Sequence, residues 1–125
     1  RRYPKISELL ARRFTFLEPV FKSIISKGKY KDRNLESSFF PEYITGCFQL
    51  YNTKDFIKLN GFDERYFLYM EDVDICKKID EIDKLKLYYP KEEITHVLKQ
   101  GSSKDIKLFF MHTSSAIKYF LKWVF

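Results

Sequence analysis

The first forty residues carry the spacing of two helices and a loop. Pro4 suits the first turn of a helix that is predicted through Arg13, and apolar residues recur at helical spacing at Ile6, Leu9, Leu10 and Phe14. A second short helix is predicted over residues 19–26 and ends near Gly28. Residues 29–41 are polar and close on a proline, which predicts a loop.

Three later segments have the composition of strands. Residues 43–51 are β-branched and aromatic, and Gly46 within them predicts a point where a backbone or a ligand comes close. Residues 85–89 and 92–98 are two further predicted strands, divided by Pro90.

Three helices are predicted between and after these strands. Asn52 or Thr53 is placed to cap a helix that ends at residues 59–60, with Gly61 as its left-handed stop. Another helix begins near Asp72, with Val73, Cys76 and Ile79 on one face. The last helix spans about residues 104–123, and one of its faces combines Leu108, Met111, Ser115, Tyr119 and Lys122.

The composition fits one globular domain with one core. The chain has 125 residues, of which 45% are hydrophobic and 32% charged. Its 13 Phe, 9 Tyr and 1 Trp are unusual, and that much flat apolar surface favours a large partner surface, a sugar or a lipid. Cys47 and Cys76 lack metal-site spacing, so a reducing compartment is expected.

The charge is segregated along the chain. Residues 1–38 hold ten Lys/Arg and four acids, a net +6; residues 39–98 hold eight and twelve, a net −4; residues 99–125 hold five and one, a net +4. Basic ends suit phosphates or an anionic membrane, and the acidic centre suits a metal, a proton transfer or sugar hydroxyls. A nucleic-acid binder would more often concentrate basic charge on its central face.

The acidic centre is densest at residues 61–74, where five carboxylates fall within twelve residues among aromatic side chains. Apolar walls and neighbouring charges raise the pKa of a carboxyl group, which is how a general base is tuned. Acids at a helix start also cap free N–H groups, and both interpretations of Asp72 and Asp74 stay open from chemistry alone. Asp72-Val73-Asp74 opens a helix rather than ending a strand, so it is not interpreted as a metal-binding D-x-D.

Two other features carry a functional and a structural interpretation. His96 on a presumed strand is placed either to bind a metal or to form a hydrogen bond in the core, whereas His112 is interpreted as structural. The last helix mixes Lys with aromatic residues, which suits equally the headgroup layer of a bilayer and a core helix.

An ordered set of motifs resembles the family 2 glycosyltransferases. It runs from Gly46-Cys47 through residues 60–64 and 69–76 to Tyr89-Pro90 and His96. The opening residues 1–4 and the tail from residues 101–104 to 115–120 extend the likeness, which covers nearly the whole chain. Within the family it is most similar to bacterial rhamnosyltransferases of O-antigen, capsule and cell-wall assembly. The chain departs from the family at Asp83-Lys84 and Asn60-Gly61, where glycines are frequent, and both departures concern turns.

The resemblance implies the α/β class and the C-terminal portion of a GT-A fold, a Rossmann-like architecture with a mixed sheet and a long C-terminal helix. The implied organisation is a basic helical lead-in at 1–41, a catalytic core at 42–98 and a C-terminal helix at 99–125. Both chain ends, at Arg1 and Phe125, are interpreted as cuts, with the nucleotide-binding half lying before the chain.

The resemblance also implies site residues. Asp72 corresponds to the general base that deprotonates the acceptor hydroxyl, with Glu71 shaping its electrostatics, and His96 corresponds to a ligand of the divalent metal. The implied acceptor site is Gly46, Cys47, Asp63, Glu64, Tyr66 and Tyr69. A Mg or Mn ion is expected in the full-length enzyme and none on this chain alone.

The implied function is inverting sugar transfer, with dTDP-rhamnose or a UDP-sugar as donor and a glycan or lipid-linked acceptor. A cytoplasmic location at the inner face of the membrane is expected, with no nucleic-acid partner. The isolated chain is expected to be inactive and to self-associate through exposed aromatics. The alternatives are a non-catalytic basic-aromatic module that binds membrane or nucleic acid, and a degenerate transferase domain that serves as a scaffold.

Overall fold

The computed structural model describes residues 1–8, 18–97 and 105–125. These residues form four named helices: α1 (Glu18–Gly28), α2 (Thr53–Lys58), α3 (Glu71–Glu81) and α4 (Ile106–Trp123). Residues 6–8 are also helical, whereas Leu9, Leu10 and Phe14 of the first predicted helix lie outside the described residues. Within the described ranges no helix is long and apolar enough to cross a bilayer.

The predicted strands are wrong for the residues that the structure describes. Residues 43–51, 85–89 and 92–97 form no strand, and Leu98 lies outside the described part. One isolated antiparallel bridge pairs Phe39 with Tyr88 through backbone bonds of 3.4 and 2.9 Å. A strand needs a partner along its length, and Phe39 alone does not supply one. The mixed sheet is therefore not confirmed.

The predicted helices form where local signals place them. The Asn52 side chain caps α2 by accepting from the backbone N–H groups of Lys54 and Asp55, at 3.0 and 3.2 Å. Gly61 follows with φ of +58°, the left-handed conformation expected after the helix. Asp105 caps α4 in the same way, at 2.7 Å from the N–H of Lys107.

The core lies where α3 packs on α4. Its buried members come from both helices and from the segments before α3: Tyr43, Tyr66, Met70, Val73, Ile75, Cys76, Tyr119 and Phe120. Three of the eight are tyrosines, so part of the high aromatic content serves the core. Other large apolar side chains are exposed, among them Phe67 at 82% and Phe125 at 85%, which confirms the expected exposed aromatics.

The N-terminal segment lies along the loop that precedes the core. The backbone N–H of Tyr43 donates to the carbonyl of Arg1 at 2.9 Å, and the N–H of Tyr3 donates to Glu42 at 2.6 Å. The ammonium of Lys86 is buried and contacts Asp80, beside the Tyr3 hydroxyl. These contacts fix residues 1–3 against the end of α3.

Candidate active site

The turn into α3 has a backbone conformation that L-residues rarely adopt. Tyr69 and Met70 are both left-handed, with φ of 67° and 69°, and Met70 makes no side-chain cap to the helix. Each left-handed non-glycine residue costs roughly 1–2 kcal/mol, so the surrounding structure must hold this pair. Met70 is buried in the core, and the Tyr69 ring lies 4.7 Å from the ring of His112 on α4. The first carboxylates of α3 follow this strained turn directly.

The carboxylate of Asp72 is held by two backbone N–H groups. Its Oδ2 accepts from Gly46 at 2.9 Å, and its Oδ1 accepts from Val73 at 2.9 Å. Burial raises the pKa of Asp72 above its ordinary value, and the two hydrogen bonds oppose that rise. The result is an oriented carboxylate with increased basicity, as a general base requires.

Gly46 is the point of close approach that the sequence predicts. A Cβ atom on Gly46 would lie 3.2 Å from the Cβ of Asp72, closer than ordinary side-chain contacts. The group that approaches Gly46 is therefore the Asp72 side chain. The missing Cβ brings the Gly46 N–H within hydrogen-bond distance of the carboxylate.

Glu71 places a second carboxyl group beside Asp72. Its Oε2 atom is buried and has no hydrogen-bond partner among the residues that the structure describes. Burial raises the pKa of Glu71, and the neighbouring charge of Asp72 adds to the rise. An unpartnered buried carboxyl oxygen is costly, and such groups are more frequent at functional sites than elsewhere.

The structure separates the predicted acceptor residues into two groups. Gly46 is joined to Asp72, Cys47 is exposed beside Thr45, and Glu64 is exposed. Asp63 instead pairs with Arg65 at 2.6 Å and with Lys122 at 3.0 Å, and both partners lower its pKa. Tyr66 is buried in the core, and burial together with the nearby charge of Asp74 raises the pKa of its hydroxyl.

Asp74 is the acidic residue whose position the sequence does not reveal. It is fully buried, and its Oδ1 accepts from Lys122 Nζ and from Trp123 Nε1, both at 2.7 Å. Asp72 and Asp74, both in the first turn of α3, therefore bind different partners. This agrees with the sequence interpretation that Asp72-Val73-Asp74 is not a metal-binding D-x-D. One feature of the sequence could have indicated a buried acid. Helical spacing places Lys122 on the same face of α4 as apolar residues, and a lysine there needs an acidic partner.

His96 lies in an exposed segment without secondary structure, not on a strand. Among the described residues no group of three or more His, Cys, Asp and Glu is placed to hold a metal ion. A bound divalent cation normally needs several such ligands. The residues that the structure describes therefore do not form a metal site by themselves.

Comparison with known proteins places the chain in a family. Residues 30–100 match the family described as the N-terminal domain of galactosyltransferase. The chain is 27% identical over 120 residues to the rhamnosyltransferase WbbL of Escherichia coli K12, covering 95% of this chain and 42% of that protein. It is 35% identical over 77 residues to the N-acetylglucosaminyl-diphospho-decaprenol L-rhamnosyltransferase of Mycobacterium tuberculosis H37Rv, covering 61% of this chain and 25% of that protein.

The chain thus spans less than half of the length of these curated relatives. No solved structure gives a significant match. The family match extends over more than half of the chain, and the relatives named above are rhamnosyltransferases. The chain therefore belongs to a glycosyltransferase family related to the bacterial rhamnosyltransferases.

Proposed function

We propose that this chain carries the acceptor side of an inverting rhamnosyltransferase, with Asp72 as its general base. The observation that carries the proposal is the Asp72 carboxylate, oriented by the N–H groups of Gly46 and Val73 and made more basic by burial. The names of the relatives support rhamnose as the sugar and a lipid-linked acceptor. A non-catalytic binding module has no need of such a carboxylate.

The proposed reaction is a single displacement at the anomeric carbon of the donor. An Asp72 oxygen takes the proton of the acceptor hydroxyl while the acceptor oxygen forms its bond to the anomeric carbon. The bond from that carbon to the diphosphate breaks, and the nucleoside diphosphate leaves with the electron pair. Attack opposite the leaving group inverts the anomeric configuration.

Glu71 and the exposed residues near Asp72 complete the proposed acceptor site. Glu71 adds a second carboxyl group next to Asp72, Gly46 donates to the Asp72 carboxylate, and Cys47 follows Gly46 in the same exposed segment. Glu64 and Tyr69 are the remaining candidates for contacts with sugar hydroxyls. A divalent cation would neutralise charge on the departing diphosphate, with His96 as the single contribution proposed from this chain.

The test is a transfer assay with this chain joined to a nucleotide-binding half. We expect rhamnose transfer from dTDP-rhamnose to a lipid diphosphate that ends in N-acetylglucosamine, with an inverted anomeric centre in the product NMR spectrum. Transfer from a UDP-sugar with none from dTDP-rhamnose would show that the donor sugar is not rhamnose. Retention of configuration would contradict the single displacement. The 125-residue chain alone should show no donor binding by calorimetry, since the groups that position the donor are expected in the other half.

We further propose that α4 rests on an anionic membrane surface, where a lipid-linked acceptor resides. Its exposed apolar residues fall within an arc of about 60° at the helical repeat, and Lys107 and Lys118 lie beside that arc. The outward residues are Ile106, Phe110, Ile117 and Leu121, and Val124, just after the helix, continues the same arc. This arc is distinct from the face that packs on the core.

Co-sedimentation with anionic vesicles tests the membrane proposal. Binding at low salt should fall at high salt, because Lys107 and Lys118 contribute screened electrostatic attraction. Leu121→Glu should remove binding, whereas the matched control Leu50→Glu, at an exposed site outside α4, should retain it. Equal binding by both variants would exclude α4 as the contact surface.

A further inference from the structure

One side of helix α4 contacts residues 63–68, which precede α3, and the first turn of α3. Ser115 Oγ donates to the carbonyl of Leu68 at 2.8 Å, and Lys118 Nζ donates to the carbonyl of Arg65 at 2.9 Å. Lys122 Nζ joins the carboxylates of Asp63 and Asp74, at 3.0 and 2.7 Å. The three donors on α4 are spaced i, i+3 and i+7, which places them along one side of the helix.

The deepest of these contacts reaches the first turn of α3. Asp74 is fully buried, and its Oδ1 accepts hydrogen bonds from Lys122 Nζ and Trp123 Nε1. Asp72 lies two residues earlier in the same turn. A helix turn is rigid on this scale, so a shift of Asp74 moves the backbone that carries Asp72.

The same contacts enclose the strained turn that precedes the carboxylates. Tyr69 and Met70 are left-handed without glycine, and such a conformation persists only where its surroundings determine it. The Ser115 bond fixes the carbonyl just before this pair, and the Asp74 bonds fix the helix just after it. The strained pair is therefore held from both sides by α4.

We propose that Lys122 and Asp74 form a positioning pair that holds the Asp72 carboxylate against the Gly46 N–H. The pair acts on Asp72 through the first turn of α3. The effect of the Lys122–Asp74 pair on the position of Asp72 is argued from the contacts alone. Its effect on sugar transfer rests on the proposed function.

The placement of Asp72 is tested in the 125-residue chain by NMR. An amide proton bonded to a carboxylate shifts with pH as that carboxylate titrates, so the Gly46 and Val73 amides should both report the titration of Asp72. Lys122→Met keeps the apolar stem and removes the charge, and we expect loss of the titration shift at Gly46. Lys107→Met, at an exposed position in the first turn of α4, is the matched control and should retain it.

A second variant separates positioning from a general loss of stability. Asp74→Leu combined with Lys122→Met replaces the buried pair by apolar groups, which commonly restores stability. We expect its melting temperature to recover towards that of the parent while the Gly46 shift stays lost. A Gly46 shift that persists in Lys122→Met, or that returns with the melting temperature in the double variant, would overturn the proposal.

Measurements of kcat and KM in a transferase that contains this chain test whether the Lys122–Asp74 pair affects sugar transfer. Misplacement of a base by about 1 Å lowers turnover by up to on the order of a hundredfold. Lys122→Met should lower kcat with little change in the KM for the donor, and Lys122→Arg should restore part of the loss. A normal kcat with a lost Gly46 shift would leave the positioning role in place and count against Asp72 as the base.

Discussion

Asp72→Asn is expected to lower turnover by on the order of a hundredfold or more in a transferase that contains this chain, because positioned general bases contribute that much. Asn keeps the size of the side chain, but its single oxygen can accept from only one of the N–H groups of Gly46 and Val73, which donate to different oxygens of Asp72. The substitution therefore removes the proton acceptor at the loss of one local hydrogen bond. The measurement is kcat at saturating donor and acceptor.

Stability provides the control for Asp72→Asn. Folding raises the pKa of Asp72, so this group contributes full stability below its unfolded pKa and loses it as the pH rises through the folded pKa. Asn has no charge to bury but loses one of the two N–H bonds, and since these effects oppose each other the variant should melt close to the parent at pH 7. A variant that melts normally and retains near-normal turnover would rule out Asp72 as the base.

The same pKa shift predicts the acidic limb of the pH profile. A base acts only when it is ionised, so kcat/KM should fall as the pH falls through the pKa of Asp72. Burial places that pKa above the ordinary aspartate value, so the fall should begin at a higher pH than an exposed aspartate would give.

The helices could be predicted because their signals are local. Asn52 before α2 and Gly61 after α2, both named from the sequence, act on backbone groups within a few residues. Asp105 acts in the same way before α4, where the sequence predicts a helix but no cap. The strands could not be predicted in this way, because a β-branched segment extends into a sheet only where a second segment pairs with it. Residues 85–89 have the composition of a strand, and yet only Tyr88 is bridged.

The same distinction between local and distant contacts decides which features of the candidate site the sequence predicts. The acidic and aromatic surroundings mark the segment around Asp72, the family resemblance proposes Asp72 as its base, and the sequence predicts Gly46 as a point of close approach. It does not identify Asp74 as a buried acid, because Lys122 lies 48 residues later in the chain. Sequence alone gives Asp63 and Tyr66 the same status as Glu64, whereas packing places Asp63 in ion pairs and Tyr66 in the core.

Asp74→Ala should produce the largest loss of stability among single changes near the site. Removing one partner of a buried, hydrogen-bonded pair costs about 3–5 kcal/mol in free energy of unfolding. The loss should lie at the lower end of this range, because Lys122 still pairs with Asp63 and its side chain is 23% exposed. Trp123 Nε1 also loses its acceptor, and that donor is then left without a hydrogen bond.

Urea unfolding followed by circular dichroism measures this loss, with Asp32→Ala as the matched control. Asp32 pairs with Arg2 at 2.7 Å, but both side chains are substantially exposed, so its removal should change the unfolding midpoint little. Domains of this size are stable by roughly 5–15 kcal/mol, so Asp74→Ala should shift the midpoint far enough to leave part of the chain unfolded at low urea. Equal midpoints for the two variants would mean that the bonds of Asp74 to Lys122 and Trp123 do not hold α4 on α3.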